Sequence, residues 1–120
     1  MRIIKRGDVF WAELPQENKT TENASVQSGR RPILVVSNDK NNEFAPTIVV
    51  APLTSKVNKL DVNRFPMHVL LSNALKRESV ILTEQLQTIN KNLLLGNAIY
   101  SLTTEELNEV NKALSLQLGL

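Results

Sequence analysis

The sequence predicts a mainly β protein, a small curled barrel of short strands closed off by one C-terminal α-helix. Three observations carry that expectation. Thr47 to Thr54 (TIVVAPLT) and Pro32 to Ser37 (PILVVS) are nearly continuous β-branched and aliphatic runs, the pattern of strands buried on both faces. Further short runs of the same kind recur between polar connections along most of the chain. The last eighteen residues change to a helical period.

Asp8 to Leu14 (DVFWAEL) reads as the first strand. Pro66 to Leu71 (PMHVLL) and Ser79 to Thr83 (SVILT) read as two more, and Ala98 to Leu102 as a last short one. Pro52 has no N–H for a sheet ladder, so it marks an edge, a bulge or the end of its strand. Short helical turns are expected around Asn73 to Arg77 and Lys91 to Leu95, with Gly96 ending the second. Thr103-Thr104-Glu105-Glu106 has the form of a capping box, with Thr103 as N-cap and Glu106 three residues on. Leu107, Val110, Leu114 and Leu118 follow as one apolar stripe.

Two polar connections stand out. Residues 15–30 (PQENKTTENASVQSGR) join the first two strands, and a connection of that length is often functional. Residues 55–65 (SKVNKLDVNRF) set Lys56, Lys59 and Arg64 against Asp61. Two such loops can frame a groove over one end of a barrel, and these basic side chains read either as solvated charges or as phosphate contacts.

The chain has 120 residues, expected to form one domain spanning 1–120, with 42% hydrophobic and 22% charged side chains. It is expected to be soluble and cytoplasmic: no run approaches the roughly 18 apolar residues of a membrane helix, and the N-terminus carries no signal-peptide pattern. The net charge is +2. The C-terminal eighteen residues hold Glu105, Glu106 and Glu109 against Lys112 alone, so the remainder of the chain is more basic than the total implies. That is a mild pointer to nucleic acid.

The absences narrow the chemistry. The sequence has no cysteine and one histidine, which leaves no ligand set for a zinc site. It shows no phosphate-binding glycine loop and no dinucleotide fingerprint, and no convergent Asp/Glu cluster of the two-metal kind. A lone His68 also excludes a two-histidine acid–base ribonuclease site within one subunit. No cofactor is expected. An RNA-cutting protein of this composition must use the substrate's own nucleophile, the 2′-OH. It must supply orientation and charge stabilisation, which an arginine fork and a neighbouring hydroxyl can do. Arg31 fits that arginine, since Pro32 holds it extended. Taken singly, Arg30 and Arg31 read equally well as solvated charges or an ion pair, Thr54 as an ordinary β-former, and Glu84-Gln85 as a strand-to-loop step.

The motifs, taken together, resemble one family. Gly29-Arg30-Arg31-Pro32-Ile33-Leu34-Val35-Val36-Ser37-Asn38-Asp39 is similar to the G-x-R-P-x-L-V-x-x-N-D signature of MazF/PemK-type toxins. The likeness extends through Lys5-Arg6-Gly7-Asp8-Val9, Phe44-Ala45-Pro46-Thr47, Ala51-Pro52-Leu53-Thr54, Pro66-Met67-His68-Val69 and Ser79 to Leu86, in the family's order. The resemblance implies an SH3-like β-barrel of the CcdB/PemK type with a C-terminal helix, assembled as a homodimer. It implies sequence-specific, metal-independent cleavage of single-stranded mRNA by 2′-OH attack. Its catalytic arginine falls on Arg31 and its catalytic threonine on Thr54. RNA contacts are expected at Ser25, Gln27, Arg30, Asn38, Leu53, Ser55, Lys56, Glu84 and Gln85. The implied partner is a MazE-like antitoxin with an acidic, partly disordered tail.

The chain departs from the family pattern in three places. The first loop is longer, with Glu17 to Ala24 inserted or altered. Val26 replaces a glutamate in the S-E-Q-x-G step. Gln87 stands where many members carry a basic residue. All three bear on the target sequence rather than on cleavage. Two other readings share the barrel: a CcdB-like gyrase poison, which has no need of Arg31 and Thr54, and a passive RNA-binding barrel. His68, opposite in parity to Met67, Val69 and Leu71, reads as structural or as an interface residue. The acceptor of the 2′-OH proton stays open among water, Glu22 and Glu84.

Overall fold

In the computed structural model the described residues are 2–15, 29–55, 67–72, 75 and 77–120. They form seven strands and two helices: β1 (Asp8–Leu14), β2 (Gly29–Val35), α1 (Asp39–Phe44), β3 (Thr47–Thr54), β4 (His68–Leu71), β5 (Ser79–Leu82), β6 (Gln87–Asn90), β7 (Leu94–Ser101) and α2 (Thr104–Leu118). Short 3-10 turns at Thr83–Gln85 and Lys91–Leu93 link β5 to β6 and β6 to β7. The strands make one antiparallel sheet in the order β4-β5-β3-β2-β1-β7, with β6 also on β3. The path stays open at β4 and β7, and the mainly β, barrel-like class with a terminal helix stands as expected.

The β-branched runs are buried on both faces because the sheet carries an apolar layer on each side. One layer holds Val9, Leu34, Ala51, Leu53, Val69, Leu71 and Ile81 against Val110 and Ala113 of α2. The other holds Phe10, Ala12, Leu14, Ile33, Val35, Ile48 and Val50. Period-2 alternation therefore divides the buried residues of β1, β2 and β3 between the two layers. Phe10 is fully buried, a burial that contributes about 1.5–3 kcal/mol.

The ladders explain both prolines. Val36 N–H donates to the Val49 carbonyl at 2.9 Å, so even-numbered residues of β2 turn their backbone groups toward β3. Pro32 is one of these, and with no donor there the β2–β3 ladder ends at the Ile33–Pro52 pair. Since Val49 faces β2, Val50, Pro52 and Thr54 face the opposite edge. There β6 pairs with Thr47–Val50 and β5 pairs with Leu53 and Thr54. Between these two ladders, beside Pro52, the 3-10 turn Thr83–Gln85 interrupts the partner strand. The feature Pro52 marks is thus a break in its neighbour, not the end of β3.

Several boundaries differ from the sequence reading. β2 starts at Gly29, so Arg30 lies inside a strand rather than in the long connection, and Arg31 within the strand rather than just before it. The strand expected from Pro66 begins at His68, and Thr83 belongs to the 3-10 turn rather than to β5. The last strand is longer than Ala98 to Leu102 and runs through Gly96, which ends no helix. The turn expected over Lys91 to Leu95 is a 3-10 turn of three residues. The turn expected over Asn73 to Arg77 falls largely outside the described residues, as do 16–28 and 56–66 of the two connections.

Two elements escaped the sequence reading. β6 has one buried residue, Ile89, too few to show a period. α1 is five polar residues and an exposed Phe44, with only Asn42 buried, and its signal is its cap: Asn38 accepts from Asn41 N–H at 2.8 Å. α2 follows its prediction at the start. The Thr103 hydroxyl accepts from Glu106 N–H at 3.2 Å and the Glu106 carboxylate accepts from Thr103 N–H at 2.9 Å. Its stripe is corrected at the far end: Leu118 is 56% exposed, while Ala113 joins Val110 in the core. Gly7 holds φ +94°, and a Cβ there would meet Leu107 of α2 at 3.2 Å, so this turn into β1 requires glycine.

Candidate active site

Arg31 lies two residues before Ile33 on β2, and Thr54 two residues after Pro52 on β3. Ile33 and Pro52 are register partners, so the same register continued places Arg31 across from Thr54. Alternation puts both on the face of Ile33, Val35, Ile48 and Val50. Pro32 has already ended the backbone ladder between the two strands, so the pair stands just past the end of that ladder.

The other side of Arg31 is equally defined. Its register partner on β1 is Ala12, fully buried on the same face. A methyl group at that point leaves room for the arginine stem against the apolar layer. Arg31 is half-buried, and that burial lowers its pKa from the ordinary guanidinium value. It remains a cation at neutral pH. A partly desolvated guanidinium attracts phosphate more strongly than a fully hydrated one. Thr54 is 8% exposed, with its backbone paired to Val80 of β5. Ser55 follows it and is exposed.

A second group stands beside β3. The 3-10 turn Thr83–Gln85 lies next to Pro52 and carries Glu84 and Gln85. His68, 8% exposed on β4, meets Glu84 through Nε2 and Oε2 at 2.8 Å. His68 is thus held by a bond within the chain. The Glu84 carboxylate, a candidate proton acceptor, is engaged by that bond. Glu22, the other carboxylate considered, lies outside the described residues.

The remaining sequence candidates divide. Arg30 is on the opposite face of β2 from Arg31, 71% exposed, with its guanidinium 3.6 Å from Glu13 across the β1–β2 pair. An exposed pair of that kind contributes little to stability. The Leu53 side chain is 1% exposed in the layer beneath α2 and faces away from Thr54, so only its backbone could meet a ligand. Asn38 caps α1 at the far end of β2, seven residues from Arg31, a span on the order of 20 Å at the rise of a strand. It is not brought to the cluster. Ser25, Gln27 and Lys56 lie outside the described residues. Ala12 is the site residue that sequence reasoning missed. Its signal was a small residue in an otherwise bulky strand, DVFWAEL, which carries meaning only once the register is known. Among the described residues, no group of three or more His, Asp or Glu side chains is placed to hold a metal ion.

The architecture has solved counterparts. The crystal structure of MazF from Deinococcus radiodurans superimposes with a TM-score of 0.79 at 22% identity, over all of both chains. The MazE–MazF crystal structure from the same organism gives 0.75 at 22% identity, over 100% of this chain and 99% of that one. At such identities the likeness shows the fold, that of MazF-type toxins. Sequence then supplies the family. Residues 5–118 match the family described as the PemK-like, MazF-like toxin of type II toxin-antitoxin systems. The Endoribonuclease MazF of Staphylococcus saprophyticus is 36% identical over 98% of this chain and 93% of its own length. The chain belongs to the PemK-like, MazF-like toxin family.

Proposed function

We propose that this chain, as one toxin domain spanning 1–120, is an endoribonuclease that cuts single-stranded mRNA at specific sequences, without a metal ion. The observation that carries the reading is the placement of Arg31 and Thr54 on one face, just past the end of the β2–β3 ladder. The 36% identity to an endoribonuclease over nearly the whole chain supports it.

In this reading the ribose 2′-oxygen attacks the adjacent phosphorus, and the P–O5′ bond breaks. One product ends in a 2′,3′-cyclic phosphate and the other begins with a 5′-hydroxyl. Arg31 donates its paired N–H groups to the non-bridging oxygens as negative charge gathers on them. Thr54 adds a neutral donor. Arg31 is not the base, because its guanidinium stays charged. The proton of the 2′-OH passes to water or a carboxylate. Gln85 contacts RNA from the 3-10 turn, and residues of the connections 16–28 and 56–66 contribute to the choice of sequence.

The partners follow from the same reading: RNA, a second copy of the chain in a homodimer, and a MazE-like antitoxin whose acidic tail covers the Arg31 face. The setting is the cytoplasm, where mRNA and antitoxin are. Among the described residues no helix is long and apolar enough to cross a membrane. A gyrase poison on this fold would have no use for the Arg31–Thr54 pair. The test is end-group analysis of a long RNA incubated with the purified chain in excess EDTA. Discrete cuts leaving 5′-hydroxyl ends support the reading. Intact RNA, or cutting that EDTA abolishes, sinks it.

A further inference from the structure

We infer that His68, acting through Glu84, is a positioning residue that fixes the turn carrying Gln85 beside the Thr54 end of β3. The inference deepens the nuclease reading and rests on Gln85 being an RNA contact.

The start of β4 grips the turn at three points. The Met67 carbonyl accepts from Thr83 N–H at 3.3 Å and also from the Thr83 hydroxyl. His68 Nε2 meets the Glu84 carboxylate at 2.8 Å. On the β3 side Pro52 has no N–H to offer a partner strand. The β3 ladder therefore lapses between the Val50–Gln87 and Leu53–Ile81 pairs. Gln85 directly follows the gripped residues and is half-buried.

Packing alone does not call for a histidine here. His68 shares β4 with Val69 and Leu71 and is as buried as Val69. An imidazole in such a strand costs desolvation unless it is bonded, and an aliphatic residue would fill the space without that cost. What the imidazole adds is the bond to Glu84. The Glu84 side chain is 33% exposed, so one end of the pair is buried and the other reaches the surface that bears Gln85. The role is positional because His68 itself is too buried to meet RNA.

The experiment compares the wild type with His68→Leu, His68→Gln, Glu84→Ala, Gln85→Ala and the double variant His68→Leu/Glu84→Ala. Cleavage of a short RNA is followed for KM and kcat, cut sites are mapped on a long RNA, and each variant is melted. His68→Leu is expected to behave like Gln85→Ala: KM rises about tenfold, the scale of one lost hydrogen bond, cut-site selectivity broadens, and kcat at saturating RNA is kept. His68→Gln, which retains a donor, restores KM. The double variant is no worse than Glu84→Ala alone, because the two residues act as one unit. Glu84→Ala leaves the core intact, so the inference remains testable even where His68→Leu folds poorly. An unchanged KM in Glu84→Ala, additive effects in the double variant, or a loss confined to kcat overturns it. Wild-type protein that leaves RNA uncut overturns the nuclease reading itself. Wild-type cutting with His68→Leu and Glu84→Ala unaltered overturns only the positioning role.

Discussion

Arg31 and Thr54 extend the register that pairs Ile33 with Pro52, so a cation and a hydroxyl share one face of two neighbouring strands just past the end of their ladder. Two prolines produce this arrangement. Pro32 removes the donor that would bind β2 to β3 beside Arg31, and Pro52 removes the one that would bind β3 to the turn holding Gln85. The polar groups of the site stand beside these two lapses in the ladders.

The hydroxyl of Thr54 is separable from its shape. Thr54→Val keeps the branched side chain and removes the donor, so kcat for RNA cleavage should fall on the order of 10²–10³. Thr54→Ser should keep most of the activity. Melting curves of the two variants check that both are folded.

Ala12 tests the packing under Arg31. It is fully buried and is the register partner of Arg31. Ala12→Leu adds volume to a filled layer and should cost about 1–3 kcal/mol in denaturant unfolding. Cleavage should fall further than the lost stability explains, because the added side chain displaces the arginine. The same enlargement at Ala113, in the opposite layer against α2, should cost stability without that additional loss.

The start of α2 predicts a pH dependence. Burial raises the Glu106 pKa, but hydrogen bonds from the Tyr100 hydroxyl at 2.6 Å and from Thr103 outweigh it, and the net shift is downward. A carboxylate held below its ordinary value stabilises the fold above the unfolded-chain value. That contribution is lost as pH falls through the lowered one. Glu106→Gln should therefore be less stable than the wild type at neutral pH and should lose less stability on acidification. Thr103→Ala should cost about 1 kcal/mol at neutral pH. Urea unfolding at several pH values measures both.

Gly7 predicts a backbone effect. Gly7→Ala forces a side chain into a positive φ and against Leu107. Unfolding free energy should drop by more than the roughly 0.4–1 kcal/mol that a strain-free replacement gains. Cleavage measured well below the melting temperature should persist, since Gly7 lies outside the site.

The strands of the core were legible in the sequence because apolar side chains on both faces leave continuous runs such as TIVVAPLT. The start of α2 was legible because a capping box is local. What stayed hidden depends on tertiary placement. α1 is mostly polar and held by its Asn38 cap, β6 buries only Ile89, and Leu118 is exposed although it continues the apolar stripe of α2. At the site, Arg31 and Thr54 were found by family likeness, since neither is distinctive alone. The face they share, the part played by Ala12, and the bond between His68 and Glu84 required the register. The same register shows why Leu53 and Asn38 stand apart from the Arg31 face, one turned into the core and the other at the far end of β2.

Cleavage by the Arg31→Ala variant tests the central claim most directly. Wild type and variant are incubated with one long RNA in excess EDTA, cut sites are mapped, and matching melting curves confirm that the variant is folded. The wild type should cut at a defined set of sites leaving 5′-hydroxyl ends, and folded Arg31→Ala should leave the RNA intact. Undiminished cutting at the same sites by the variant would contradict the account.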